Sequence, residues 1–128
     1  MPFIHIKSLP YENTLHVTEV IIAIGKEFAE KNHIPLDHVH TTWEFFKPGH
    51  FAKGDIAPKF QPETPHSVIV DLLTPDFNDQ QTNRQMLLSL AHSISRHAKI
   101  PLQKIFINHR QAASEMVFDD GKIVSWLD

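Results

Sequence analysis

Apolar residues along this chain fall into two sets that follow one plan: a short extended segment, a long helical stripe and a second extended segment. In the first set, Phe3–Leu9 carries β-branched and aromatic residues and stops at Pro10, which suits a strand end. Asn13 or Thr14 offers a helix cap. Val17, Ile21, Ile24 and Phe28 then recur at steps of four, three and four, one stripe at helical period. Gly25 interrupts this helix at a cost of roughly 1 kcal/mol relative to Ala, which points to close packing there. Pro35 biases Ile34 away from helical geometry. The helix is therefore predicted to stop near Asn32, and His38–Phe46 reads as the second strand.

The second set repeats the plan. Ser67–Leu73 is a nearly continuous apolar run, expected of a strand buried on both faces. Asn78 or Asp79 can cap the next helix, whose inner stripe is predicted as Leu87, Leu90, Ala91, Ile94 and Ala98. Lys104–His109 reads as the closing strand. The two sets are also alike in sequence: HIPLDHVHTTWE (33–44) reads like KIPLQKIFINHR (99–110), with Ile-Pro-Leu at 34–36 and again at 100–102, an offset of 66. A repeat of this length suggests a duplicated supersecondary unit. Each strand–helix–strand unit should hold parallel strands joined by a right-handed crossover. The expectation is one α/β (α+β) domain over residues 1–128, with pseudo-repeats 2–64 and 65–128. Its four-stranded mixed sheet carries two helices on one face.

Between the units, 47–64 is rich in Pro, Gly and Lys and reads as loop. Asp119-Asp120-Gly121 lies between Met116–Phe118 and Ile123–Leu127 and predicts a terminal hairpin. Two helices cover only one sheet face, so burial of the other predicts self-association.

Composition adds exclusions. At 128 residues with 41% apolar content, the chain can bury a real core within one domain. No apolar run is long enough to span a bilayer, and MPFIHIKSLP is too short and interrupted for a signal peptide. A cytoplasmic location is the default expectation, with no membrane partner. Cysteine is absent, which removes disulfides, thiolate zinc sites and cysteine nucleophiles. The net charge of −3 with no basic cluster argues against nucleic acid.

The Met-Pro start raises a chemical question. If Met1 is removed, Pro2 becomes a secondary amine, and a free α-amino group titrates at about 7.7–8.0, where few protein bases do. Burial among Phe3, Phe51 and Phe106 would lower that value further. Such an amine can move a proton next to a carbonyl, and Asn108, His40 or backbone N–H groups could hold the enolate. It could also attack a carbonyl or hydrate an activated alkene. Pro65, read as the counterpart of Pro2, is an internal amide, so one proline site per chain is expected. No cofactor is implied.

These residues together resemble the tautomerase superfamily, of the oxalocrotonate tautomerase and macrophage migration inhibitory factor type. The likeness covers nearly the whole chain. It rests on the Met-Pro start, on IPLDHVHTTWEFFKPGHFAKGD with Gly49-His50-Phe51, and on KIFINHRQAASEMVFDDG with Ile107-Asn108. The resemblance implies a fused double β-α-β chain, typically a homotrimer, with a catalytic proline at a subunit boundary. By position, Phe51 matches an aromatic wall residue and His33 a site lysine. His40 stands where a substrate-gripping arginine is expected. Phe106 and Asn108 match a tyrosine and an asparagine contributed by a neighbouring subunit.

Departures refine the substrate. Leu9-Pro10-Tyr11-Glu12 replaces an expected arginine after the first strand, and neutral histidine cannot supply the bidentate carboxylate grip of arginine. A dicarboxylate is therefore disfavoured, and Arg110 could hold a single carboxylate if it turns inward. The implied activity is keto-enol tautomerisation of a small carboxylic acid, or decarboxylase or dehalogenase chemistry at the same proline. The rival reading is a non-catalytic trimer that kept the fold without the grip residues. A third is a metal-binding module: on a strand, His38 and His40 would share a face, with His33 or His50 as a third ligand. The missing cysteine and the absence of a helical His-Glu-x-x-His motif weigh against it. His5, His16, His66, His92 and His97 read as surface or rim residues.

Overall fold

The computed structural model describes residues 1–61 and 67–126; Pro65, His66 and Leu127, which figure in the readings above, lie outside them. In chain order the elements are β1 (Phe3–Ser8), α1 (Val17–Lys31), β2 (His40–Phe45), β3 (Val68–Pro75), α2 (Gln80–Ala98), β4 (Ile105–Ala112), β5 (Val117–Asp119) and β6 (Lys122–Val124). A four-stranded mixed sheet runs β2-β1-β3-β4: the outer pairs are parallel and the central β1–β3 pair is antiparallel. This is the duplicated plan expected from the sequence.

The register carries the duplication to single residues. Phe3 faces His40 in one parallel ladder and Ile69 faces Phe106 in the other, the same pair displaced by the offset of the Ile-Pro-Leu repeat. Past each helix, His33 and Lys99 both turn left-handed, with φ of 54° and 57°. A 3₁₀ turn follows each, Leu36–His38 and Leu102–Lys104. On this register the strand position equivalent to Pro2 is Val68 rather than Pro65.

The core lies between the sheet and the two helices. Ile4, Ile6, Val68, Val70 and Leu72 point inward from the strands to meet Ile24 and Phe28 of α1 and Leu90 and Ile94 of α2, all fully buried. Burying side chains of this size is worth about 1.5–3 kcal/mol each. Gly25 lies against β2, where an added Cβ would stand 3.1 Å from Thr41 Oγ1, so the close packing is real. A second tie joins the helices: Glu27 of α1 pairs with Arg96 and with His97 Nε2 at 3.1 Å. Partial burial pushes the Glu27 carboxyl up, but hydrogen bonds from His97 and Arg96, and their charge, bring it below the usual carboxylate value.

Several boundaries move. α1 begins at Val17 behind an uncapped His16, because Pro10–Leu15 is spent crossing the sheet end, where Tyr11 bridges to Gln61. In α2 the buried stripe is Met86, Ser89, Leu90, Ser93, Ile94 and Ala98, while Leu87 and Ala91 are half-buried. The serines fit inside because they are small: Ser89 Oγ donates to Met86 O, so its hydroxyl is not left bare. β3 alternates instead of burying both faces: Val68, Val70, Leu72 and Thr74 are buried, while Ile69, Asp71 and Leu73 are partly exposed. The second face carries no helix among the described residues. It mixes exposed Phe3 and Phe106 with Lys7–Glu44 and Asp71–Arg110 ion pairs. The terminal hairpin forms as expected, turning through Asp120 and Gly121 at φ of 52° and 76°. Two successive left-handed residues mark a type I′ turn, the hairpin turn that matches strand twist.

Candidate functional site

Pro2 enters β1 on the inward side of the pleat, in phase with Ile4 and Ile6, and is buried. Its carbonyl accepts the His40 backbone N–H at 3.1 Å, which fixes it to the first residue of β2. Beside it opens a pocket of about 290 Å³ between the end of α1 and the start of α2. The α1 side supplies His33, Ile34 and Pro35, with His38 beyond; Thr74, Pro75 and Phe77 come from the end of β3; Asn78, Thr82 and Met86 come from the start of α2.

Each element reaches the pocket for a local reason. The left-handed turn at His33 ends α1 and redirects the chain along the pocket wall. Asp79 caps α2 by accepting the Thr82 N–H at 2.8 Å, and this hydrogen bond from the Thr82 backbone holds the Asp79 carboxyl below its usual value. The Asp79 carboxylate thereby takes up the positive end of the α2 dipole beside the pocket. None of the lining residues is acidic, and two are histidines. The site suits an anion or a developing negative charge.

A histidine that sequence reasoning passed over stands next to this wall. His109 Nε2 lies 2.7 Å from Thr74 Oγ1, and Thr74 lines the pocket. Burial pushes the His109 imidazole below its ordinary value, so it favours the neutral form. Strand parity could have found it: on β4, Ile105, Ile107 and His109 alternate with exposed Phe106, Asn108 and Arg110. Thr74 and the first turn of α2 join the pocket only through tertiary packing, which no local pattern announces.

Of the residues singled out from sequence, one chain brings Pro2 and His33 into the same pocket. His40 is next to Pro2 through its backbone, but its ring stacks on Phe3 with centroids 4.4 Å apart. Phe51 follows β2 in the loop and packs on Phe46 at 5.8 Å. Phe106, Asn108 and Arg110 project from β4 on the open face of the sheet, away from the pocket. Arg110 Nε bonds both Asp71 oxygens, at 2.8 and 3.0 Å, so it does not turn inward to meet a carboxylate. His38 sits in a 3₁₀ turn rather than on β2, so it does not share a strand face with His40. Among the described residues, no three His, Asp or Glu side chains gather as a metal site. No described helix is long and apolar enough to cross a membrane.

In sequence, no protein-family model and no curated protein matches this chain. In structure the likeness is extensive. A fused 4-OT, a symmetric trimer, superposes with a TM-score of 0.80 at 8% identity, over 95% of this chain and 94% of that one. A member of the cis-3-chloroacrylic acid dehalogenase family gives 0.75 at 13% identity, over 95% and 82%. Malonate semialdehyde decarboxylase gives 0.68 at 10% identity, over 94% and 93%. The chain therefore shares the fold of these proteins, a fused double β-α-β chain, which is the fold that the resemblance implied.

Proposed function

We propose that this protein is an enzyme in which Pro2, freed by removal of Met1, moves a proton on a small keto or enol monocarboxylic acid. The observation that carries this reading is the burial of Pro2 beside a pocket that has two histidines and no acidic lining residue. With Met1 attached, the Pro2 nitrogen is an amide and has no basicity. Once free, it is a secondary amine, and the buried setting disfavours its protonated form, which brings its pKa toward neutrality. The substrate carboxylate would lie toward His33, His38 and the start of α2. The amine would take the proton from the carbon next to the carbonyl, and charge building on oxygen would be met by N–H donors. Returning the proton at a second position completes a tautomerisation.

Decarboxylation and hydration use the same amine in other ways. Their place here rests on the fold shared with the dehalogenase-family member and the decarboxylase. The active assembly in this reading is a homotrimer, as in fused 4-OT. Exposed Phe3 and Phe106 on the open sheet face support such an association, which in this reading would bring Phe106 and Asn108 of a neighbouring subunit toward Pro2. Cytoplasmic location belongs to the same proposal.

The test begins with the intact mass of untagged protein made in cells, followed by Pro2→Ala in an assay over enol and keto monocarboxylic acids. A mass without methionine, with turnover that rises with pH through the amine pKa and is lost in Pro2→Ala, is the expected result. A retained methionine, or turnover unchanged in Pro2→Ala, rejects proline catalysis. A second observation favours the binding-module reading: Arg110 is held by Asp71, and no arginine lines the pocket. Carboxylate binding without turnover in Met1-free protein would select it.

A further inference from the structure

One wall of the Pro2 pocket is held in place from the far end of the chain. Past the end of β3, Phe77 lines the pocket and is still 63% exposed, so its ring is open to contact. Trp126, beyond the terminal hairpin, meets that ring edge to face, with centroids 5.9 Å apart and planes at 88°. This is a preferred aromatic geometry, because the positive edge of one ring meets the negative face of the other.

Trp126 is itself fixed at two points. Its Nε1–H donates to Asp76 Oδ1 at 2.8 Å, and its backbone N–H donates to Ser114 Oγ at 2.9 Å. Asp76 is fixed in turn, since its backbone N–H donates to Ala112 O at 3.0 Å, at the end of β4. The Glu115 N–H closes the base of the hairpin on Val124 O at 2.9 Å. The end of β3, the end of β4 and the C-terminal segment are thus tied together beside Phe77. The hairpin leaves Met116, Phe118 and Ile123 exposed, whereas Trp126 is half-buried against the residues next to the pocket. Ile34, Pro35 and Met86 add apolar surface to the same lining. An exposed aromatic wall with this backing suits an alkyl group carried by the ligand.

We propose that Phe77 selects an alkyl tail on the substrate and that Trp126 is the positioning residue that sets the Phe77 ring. This rests on the reading of the Pro2 pocket as a keto-acid site, and adds that the acid bears a tail of several carbons.

The test compares sodium 2-oxohexanoate with sodium pyruvate, the same head group with and without three further methylenes, titrated into the full ¹⁵N-labelled chain. The chain has two tryptophans. The Trp126 indole N–H is expected to shift saturably with 2-oxohexanoate. Trp43, whose Nε1 donates to Ser8 Oγ at 2.9 Å and which does not line the pocket, is the internal control for folding. The longer acid should bind about tenfold tighter, less than full burial of three methylenes gives because the wall is partly open. Trp126→Ala should cut that preference to about twofold, and Trp126→Phe, which keeps a ring against Phe77, should restore most of it. In turnover the loss should fall on KM more than on kcat. Binding needs no proline chemistry, so the preference should persist in Pro2→Ala. No saturable shift with either acid rejects both this inference and the keto-acid reading. Equal affinity for the two acids, a preference that survives Trp126→Ala, or no rescue by Trp126→Phe rejects this inference alone.

Discussion

Replacing Gly25 with alanine tests how tightly α1 is seated on the edge strand β2. In an unconstrained helix interior this change is worth about 0.8–1.0 kcal/mol in favour of Ala. Here the new methyl group would meet Thr41 Oγ1 at 3.1 Å and Val39 Cγ1 at 3.8 Å. Overpacking of this kind costs about 1–3 kcal/mol, so the contact outweighs the propensity and Gly25→Ala should destabilise by about 1 kcal/mol. The obstruction is one hydroxyl oxygen on a side chain, which makes the effect separable. In a Thr41→Ala background that oxygen is gone, and the same substitution should stabilise by about 0.5–1 kcal/mol. The four variants form a cycle with a coupling of about 1.5–2 kcal/mol, inside the range for residues in contact. Urea unfolding followed by far-ultraviolet circular dichroism, at one fixed protein concentration, measures all four. A stabilising Gly25→Ala with Thr41 present, or a coupling near zero, would refute the claim that this contact decides the position.

Phe28 is fully buried at the centre of the α1 face, and Phe28→Ala should cost about 3–5 kcal/mol in the same unfolding assay. The Glu27 carboxyl sits below its usual value in the folded chain, so its pairing with His97 and Arg96 contributes stability above the unfolded carboxylate pKa and loses it as pH falls through the folded one. Glu27→Gln should therefore cost about 1 kcal/mol at neutral pH and less in acid. His109 resists protonation when folded, so stability should decline as pH drops below about 6.5, where the unfolded imidazole takes up its proton first. His109→Gln should flatten that limb of the stability curve; a limb of unchanged slope assigns it to other groups.

The architecture was legible because the duplication was. Once Ile-Pro-Leu was seen twice, both units, their parallel strands and the two helices on one face followed, and the register repeats that offset residue by residue. Pro35 marked the end of α1 correctly, because its ring acts locally on Ile34. Asp120-Gly121 marked the hairpin for a similarly local reason. What failed was decided by neighbours far along the chain. Ser89 and Ser93 took inward positions in α2, where the sheet left room for small residues. Asn13 and Thr14 lost the cap to His16, because the chain was still crossing the sheet end. Pro2 and His33, both named from the sequence, line one pocket, whereas Thr74, His109 and the first turn of α2 converge there only after the two units pack.

The central β1–β3 ladder has a consequence for the route by which the chain folds. Each outer ladder closes within its own half, but Phe3 meets Leu73 only when the halves join. By simple loop-closure entropy that encounter costs roughly 4 kcal/mol before any central hydrogen bond repays it. Until then β1 and β3 each present an unpaired edge of complementary register. At high protein concentration a second chain can supply that edge as readily as the first. Refolding should therefore partition between monomeric closure and exchanged dimers in which the halves of two chains are interlocked.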